Sequence, residues 1–298
     1  MLNSHDVVER DLVAVGGGSA MKVLIRCVAA VVLFGACMLY GGAPSTVVGN
    51  APFELRAIPS SAVHHLQAPR IRNENGTSSN WSGYAIETNL AGRPSEAARI
   101  NNGSVTIVNG SWTVPSVSGG GTTSTYSSTW IGIDGYSGNT VEQIGTEQDW
   151  TPAGTVYYAW FEMYPKKAYE IREFPVVPGD VISAQVQYVA KGTFQLTISN
   201  DTKGVSYSVT QKLPSAKRQS AEWIMEAPWM GGVLPLADFG DVTFTDCSAT
   251  LNGHTGTISD PAWQEDPMTM MTADGVVKAD PSALSPDGSA FTVTWSHE

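Results

Sequence analysis

Apolar and polar residues alternate along several short segments in the second half of the chain. Residues 182–188 read Ile-Ser-Ala-Gln-Val-Gln-Tyr, and the same period of two returns over residues 194–198, 205–209 and 291–295. Successive side chains of a β-strand point to opposite faces, so each segment is predicted to be a half-buried strand.

Turn-forming clusters separate these segments. Examples are Gly119–Gly121, Pro178–Asp180 and Asn252–Gly253. We find no sustained helical period and no internal repeat of 20 to 50 residues. Many short strands in more than 200 residues predict an all-β fold, namely a two-sheet antiparallel β-sandwich of jelly-roll or concanavalin-like type, with a barrel as the alternative.

The N-terminal part of the chain does not follow the strand pattern. Residues 1–20 are polar and precede a second methionine, Met21, so they are interpreted as an upstream extension. Residues 21–43 carry Lys22 and Arg26, then an apolar run and small residues, which predicts a secretory signal. An uncleaved membrane anchor is the alternative, but the apolar run is shorter than the ~20 residues of a comfortable span.

Residues 44–76 are polar and proline-containing, and they are predicted to be a propeptide or a disordered linker. The folded domain is expected to cover residues 77–298. Its single cysteine, Cys247, excludes an intramolecular disulfide there and is expected to be a buried structural thiol. The signal predicts a secreted, extracellular protein without stable membrane association once the signal is removed, and we expect a monomer.

The charge composition narrows the classes of partner. Only 15% of the residues are charged, and 28 acidic against 17 basic residues give a net charge of −11. No broad cationic face is available for phosphate backbones or anionic lipid, so a nucleic-acid partner is disfavoured. A low charge fraction also limits self-repulsion at acid pH, which favours an acidic working environment.

Carboxylates occur inside apolar strand segments. Alternation places Glu162 among aromatic residues on one face of 157–165, and it places Glu222 and Glu226 together on one face of 221–228. A buried carboxylate is costly unless it is paired or protonated, so these residues are candidates for chemistry. An edge strand, a rim position or a hydrogen-bonded core acid would explain them equally well.

Most other catalytic signatures are missing. The chain has no His-Glu-x-x-His, Gly-x-Ser-x-Gly or phosphate-binding glycine loop, and no aspartic-peptidase motif. Only His254 and His297 of the five histidines lie in the predicted domain. Metal chemistry and Ser-His chemistry are therefore disfavoured, and no cofactor is expected.

Five motifs together resemble the glutamic peptidases, or eqolisins. They occur in the order of that family, and five in order are far more specific than any one alone. The motifs are Asn80–Tyr84 (NWSGY), Trp130–Gly135 (WIGIDG), Gln143–Gly145 (QIG), Tyr158–Pro165 (YAWFEMYP) and Glu222–Glu226 (EWIME).

The resemblance implies a β-sandwich that binds polypeptide substrates on its concave face, and an acid endopeptidase that needs no metal or cofactor. Gln143 matches the catalytic glutamine of the family and Glu226 matches its catalytic glutamate. Residues that match lining or supporting positions, or that share their motif, are Trp130, Asp134, Glu162 and Tyr164.

The sequence departs from the family in three places. The domain cannot form a disulfide, and Ile144 stands where better-known members have a hydroxyl residue. The segment after the glutamine appears longer than its counterpart, so either Glu147 or Asp149 takes the place of the supporting aspartate. We favour Asp149, because the Asp-Trp pair with Trp150 is retained.

Two other functions are compatible with parts of the sequence. A sandwich glycoside hydrolase would use Glu162 and Glu226 as its two carboxylates, about 5 to 9.5 Å apart. A non-enzymatic, lectin-like module would bind carbohydrate through tryptophans. Neither explains the pairing of Gln143 with Glu226. The tryptophans of the lectin-like alternative are Trp112, Trp150, Trp160 and Trp229.

Overall fold

The computed structural model describes residues 53–58, 76–87 and 105–298. These residues form seventeen strands, and no helix among them is long and apolar enough to cross a bilayer. The predicted upstream extension and signal lie outside the described residues. The strands are β1 (Leu55–Ala57), β2 (Thr77–Ser78), β3 (Trp81–Glu87), β4 (Val105–Thr113), β5 (Ser128–Ile133), β6 (Val141–Thr151), β7 (Gly154–Tyr164), β8 (Tyr169–Ile171), β9 (Val181–Ala190), β10 (Thr193–Asn200), β11 (Val205–Lys212), β12 (Ser220–Glu226), β13 (Asp241–Leu251), β14 (His254–Thr257), β15 (Gln264–Met271), β16 (Val277–Pro281) and β17 (Phe291–Trp295).

The strands are arranged in two layers. The first layer has the order β1-β8-β7-β6-β5-β12-β3-β15, with every pair antiparallel. The second has the order β11-β10-β9-β4-β13, and β14 and β17 also pair with β13. The predicted all-β, antiparallel sandwich is confirmed.

Strand β15 belongs to both layers. Its residues 264–268 pair with β3 in the first layer. Its end pairs with β16 in the second layer and, in parallel, with the short strand β2. The two layers are therefore continuous through one strand.

The main core lies between the layers, and tryptophan side chains form hydrogen bonds across it. Trp223 of β12 donates from Nε1 to the carbonyl of Asn109 on β4 at 2.7 Å. Trp112 of β4 donates to Oγ1 of Thr146 on β6 at 3.0 Å. A Cβ atom at Gly110 would lie 2.8 Å from the Trp223 ring, so glycine is needed where the layers approach closely.

The predicted alternation is confirmed in β9 and β10. Ile182 and Val186 of β9 are fully buried in this core, as are Phe194 and Leu196 of β10. Cys247 is also buried and free, and burial raises the pKa of its thiol well above the ordinary value. Among the described residues it is therefore a structural thiol, as expected.

Strand β1 comes from the segment predicted as a propeptide or linker. Leu55–Ala57 pairs with β8 at the edge of the first layer, and the Ile58 amide donates to the Ala168 carbonyl at 2.9 Å. Before it, Phe53 packs against Phe174. Residues 53–58 are thus part of the sheet, while residues 44–52 and 59–75 lie outside the described part of the chain.

Candidate active site

Strand β12 divides its side chains between two environments. Trp223 and Met225 point into the core between the layers. Glu222, Ile224 and Glu226 alternate with them and therefore point to the outer face of the first layer. This is the shared face that the sequence predicted.

The outer face carries its own aromatic cluster, which includes Trp81, Trp130 and Trp160. Trp81 meets Trp130 edge to face, with ring centroids 4.9 Å apart. Ile58, from the segment that carries β1, is buried in the same cluster. The outer face is therefore closed to solvent where these residues lie. Gln143 and Glu226 are both 0% exposed.

Strand register places Gln143 and Glu226 in two separate rows across the sheet. In the first row Gln143 on β6 lies between Glu162 on β7 and Gly132 on β5, and Glu222 follows on β12. This row holds two carboxyl groups and one amide.

The second row contains Glu226. It lies between Trp81 on β3 and Ser128 on β5, and Glu147 follows on β6. The row between the two contains Trp130, which is thus flanked by the amide on one side and by the carboxyl group on the other.

Glu226 is held by a donor on each carboxylate oxygen. Trp130 Nε1 donates to Oε2 at 2.9 Å, and Asn80 Nδ2 donates to Oε1 at 3.2 Å. Ser78 in turn donates from Oγ to the Asn80 Oδ1 at 2.9 Å, and its Oγ accepts from the Trp81 amide. The hydroxyl therefore fixes which end of the Asn80 amide faces the carboxylate.

Gln143 is oriented by a neighbouring acid. Its Nε2 donates to Oε2 of Glu162 at 3.0 Å. The two residues are direct cross-strand partners, so the hydrogen bond follows from the register of β6 and β7.

Two opposing effects act on the pKa of Glu226. Burial raises it well above the ordinary value, and the nearby Glu162 raises it further. Hydrogen bonds from Trp130, Trp81 and Asn80 lower it. Burial is the largest effect, so the closed site favours the protonated form of Glu226.

Two glycines make room for the Trp130 side chain. A Cβ atom at Gly145 would lie 2.5 Å from Trp130 Cβ, and one at Gly132 would lie 2.9 Å from the Trp130 ring. A side chain at Gly132 would therefore displace the ring that donates to Glu226, and one at Gly145 would displace the Trp130 backbone that carries this ring. The Gln-x-Gly motif is thus explained by packing as well as by its glutamine.

Asp134 supports the site from a distance. It follows β5 with a positive φ of 69°, and its carboxylate accepts three backbone amides, at 2.8 Å, 2.7 Å and 2.7 Å. The donors are Lys217, Arg218 and Gln219, which lead directly into β12. Asp134 therefore anchors the start of the strand that ends in Glu226.

Glu142 forms a pair with Asp134 that the sequence did not identify. Burial raises the pKa of both carboxyls, and the nearby charge of Asp134 raises the pKa of Glu142 further; among the described residues neither Glu142 oxygen has a hydrogen-bond partner. Burial and this neighbouring charge both favour the protonated form of Glu142. Its signal in the sequence was an acid in an apolar strand beside Gln143.

The two candidates for the supporting acid lie on the same face of β6. Glu147 accepts a short hydrogen bond from Ser128, the cross-strand neighbour of Glu226. Asp149 lies two residues farther along the strand, opposite Val156. Register therefore brings Glu147 into the row of Glu226 and Asp149 beyond it.

The other residues assigned to the site from the family resemblance lie in different parts of it. Trp130 contacts Glu226 directly, and Glu162 contacts Gln143. Tyr164 is half-buried at the end of β7 and packs against the outer cluster. Asn80 and Ser78 were missed as individual residues, although Asn80 opens the first of the five motifs.

The lectin-like alternative does not fit the burial of its tryptophans. Trp112 and Trp160 are each 1% exposed, one between the layers and one in the outer cluster. Neither side chain is available to a carbohydrate.

In residues 53–58, 76–87 and 105–298, no group of three or more His, Cys, Asp or Glu could hold a metal ion.

The chain is similar to known peptidases over most of its length. It is 31% identical over 269 residues to aspergillopepsin-2 from Aspergillus niger, which is 83% of this chain and 86% of that protein. It is 33% identical over 158 residues to scytalidopepsin B from Scytalidium lignicola, which is 49% of this chain and 59% of that protein.

Solved structures show the same likeness. Scytalido-glutamic peptidase with a transition state analog inhibitor superposes with a TM-score of 0.58 and 25% identity, over 73% of this chain and 98% of that one. Aspergilloglutamic peptidase from Aspergillus niger gives 0.52 and 32%, over 58% and 99%. Residues 79–294 match the Peptidase A4 family. The chain therefore belongs to the Peptidase A4 family of glutamic peptidases, and the glycoside hydrolase and lectin-like alternatives are wrong.

Proposed function

We propose that the chain is a secreted acid endopeptidase in which Glu226 and Gln143 carry out the chemistry. The observation that carries the proposal is the anchoring of both oxygens of Glu226 by Trp130 and Asn80, on the face that also holds Gln143. A carboxylate and an amide, each held by hydrogen bonds, are the two groups that peptide hydrolysis needs.

Glu226 serves as the general base and then as the general acid. It takes a proton from a water molecule held between it and Gln143, and the water oxygen attacks the scissile carbonyl carbon. The proton then passes to the leaving nitrogen, and the C–N bond breaks. One carboxyl group thus performs both proton transfers.

Gln143 stabilises the tetrahedral intermediate. Its amide N–H donates to the developing oxyanion, while its carbonyl oxygen orients the attacking water. In the closed site Nε2 donates to Glu162, and this hydrogen bond orients the amide. An amide does not titrate, so the pair need not share a proton as two aspartates would.

Opening the site would change both its access to substrate and the pKa of Glu226. Glu226 acts as a base only when ionised, and burial is the largest cause of its raised pKa. Removal of the segment that carries β1 and Ile58 would admit water to the carboxylate, lower the pKa of Glu226 and admit a polypeptide in the same step.

The proposed substrates are polypeptides. A solved eqolisin binds the tripeptide Ala-Ile-His, and scytalido-glutamic peptidase binds a peptide based transition state analog. We carry this substrate class over to the outer face of the first layer. Secretion rests on the signal predicted at residues 21–43, and the predicted propeptide would keep the enzyme closed until export.

The decisive experiment is digestion of denatured casein by the mature enzyme across the acid pH range, in the presence of an inhibitor of aspartic peptidases. Glu226→Gln should abolish cleavage while thermal unfolding stays close to that of the unchanged enzyme. The exposed Glu265 provides a matched control, since Glu265→Gln should leave the rate unchanged. Retention of most activity by Glu226→Gln would exclude the proposed mechanism.

A further inference from the structure

An open pocket of about 440 Å³ lies beside the candidate active site, and no step of the proposed reaction uses it. Its walls come from the link between β2 and β3, the loop after β12, the β15–β16 hairpin and Glu298. They include Ser79, Val233, Leu234, Pro235, Met271 and Lys278.

The pocket is adjacent to the Glu226 end of the outer face. Ser79 directly precedes Asn80, the residue that donates to Glu226, and neighbouring Cα atoms are about 3.8 Å apart. The next residue after Glu226, Ala227, donates to the Asn80 carbonyl at 2.8 Å. The amide of the loop residue Leu234 donates to a backbone carbonyl in the residues that directly follow Ala227.

Lys278 is the unusual residue of this pocket. It is only 7% exposed, and burial lowers the pKa of its ammonium group. The ion pairs found among the described residues do not include it. The Lys278 side chain thus ends in an ammonium group that faces the pocket without an ion-pair partner among the described residues, so the pocket favours a carboxylate as occupant.

Other charged groups surround the pocket. Glu298 lines it and raises the pKa of Lys278, but it is exposed and lies beyond ion-pair distance. Asp274 lies in the β15–β16 turn, where it accepts from Thr272 at 2.6 Å. His297 precedes Glu298 and acts electrostatically on Asp274. Lys278 is therefore the cationic side chain on the pocket wall. The Glu298 carboxylate would compete with a bound carboxylate for its ammonium group.

We propose that this pocket is a substrate subsite in which Lys278 binds a carboxylate of the polypeptide while the apolar walls hold its aliphatic part. The inference rests on the proposed peptidase function. The pocket would take a residue near the scissile bond, because Ser79 on its wall directly precedes Asn80, which donates to Glu226. The carboxylate comes either from an acidic side chain or from the C-terminus of a short peptide.

The test compares matched peptides that carry Glu or Gln at each position near the cleaved bond, with free or amidated C-termini. At pH 5, kcat/KM for Glu should exceed that for Gln by about 10-fold at one position, as one charge-assisted hydrogen bond provides. At pH 3 the preference should decline, because the carboxyl group becomes protonated. A preference only for free over amidated termini would identify the C-terminal carboxylate as the occupant.

Variants assign the effect to Lys278. Lys278→Met keeps the side-chain volume and should make kcat/KM equal for the Glu and Gln peptides. Lys278→Arg should retain the preference, and Glu298→Gln should increase it by removing a competitor. The exposed Lys212 on β11 provides the control, because Lys212→Met should change nothing.

An equal rate for Glu and Gln at every position, with free and amidated termini alike, would overturn the subsite. So would a preference that persists in Lys278→Met and does not respond to Glu298→Gln. Cleavage of the Gln peptide shows in the same experiment that the peptidase itself is active. Failure of the subsite is thereby distinguished from failure of the proposed function.

Discussion

Ser78 controls the orientation of Asn80. Its hydroxyl donates to Asn80 Oδ1, which leaves Nδ2 to donate to Glu226. The two residues thus form a short relay that starts at the end of β2, at Ser78, and ends on the proposed catalytic carboxylate.

Removing the end of this relay should change the pH dependence of the enzyme. Asn80→Ala deletes a hydrogen bond that lowers the pKa of Glu226, so that pKa should rise. The acid limb of kcat against pH should therefore move to higher pH. Ser78→Ala should produce a smaller shift in the same direction, and an unchanged profile in both variants would remove the relay from the mechanism.

Gln143→Ala should lower kcat by about 100-fold or more, as loss of one oxyanion donor typically does. The measurement is initial rate on a defined peptide at saturating substrate. Gln211→Ala on β11 is the matched amide control and should keep the full rate. If Gln143→Ala also kept its rate, another group would have to supply the oxyanion donor.

Glu147→Gln and Asp149→Asn separate the two candidates for the supporting acid. Glu147 is tied to Ser128 in the row of Glu226, whereas Asp149 lies farther along β6. We expect the larger loss of kcat/KM from Glu147→Gln, on the order of 10-fold, because it acts on the neighbour of Glu226. A larger loss from Asp149→Asn would support the assignment favoured by the sequence.

Stability should be highest in acid and decline as the pH rises towards neutrality. Burial raises the pKa values of Glu142, Glu222 and Glu226 in the folded chain, so the folded state holds protons that the unfolded state has released. The loss begins near the unfolded pKa of about 4.3 and continues up to the raised folded values. Asp180 acts in the opposite sense, because hydrogen bonds lower its pKa.

Glu142→Gln tests this argument at one residue. An amide does not titrate, so the stability that the buried Glu142 carboxyl loses as the pH rises should no longer be lost. Thermal stability at pH 7 should therefore increase relative to the unchanged protein, while stability at pH 3.5 stays nearly the same. For a chain of this size each 1 kcal/mol corresponds to about 2–4 °C in Tm. A monotonic rise in the stability of the unchanged protein from pH 3 to pH 8 would contradict the explanation.

The segment that carries β1 leads to a prediction about maturation. The face it borders is closed, with Ile58 buried among its aromatic residues. Incubation of the full chain at low pH should release the residues before about Thr77, together with a gain of activity. N-terminal sequencing of the product checks this, and an active enzyme that begins directly after Ala43 would contradict it.

The sequence predicted the layer structure and the faces of β12 because these depend on local alternation. The Glu222 and Glu226 positions followed from the period of two, and Gln143 followed from family motifs. The hydrogen bonds to Glu226 could not be predicted, since Asn80 lies 146 residues away and reaches it only through the pairing of β3 with β12.

The pairing of Glu142 with Asp134 shows the same limit. Each is an acid in or beside an apolar strand, and nothing local indicates that the charge of Asp134 would raise the pKa of Glu142. The contribution of β1 was also missed, because a strand of three residues carries too little alternation to be recognised.

Strand β12 links correct assembly to activity. Its odd-numbered residues Trp223 and Met225 belong to the core, while Glu222 and Glu226 belong to the outer face. A slip of one residue in its pairing would send both carboxyls into the apolar interior and the tryptophan outward. A misregistered molecule would therefore be inactive and unstable at once, so proteolytic activity can appear only in chains that have folded correctly.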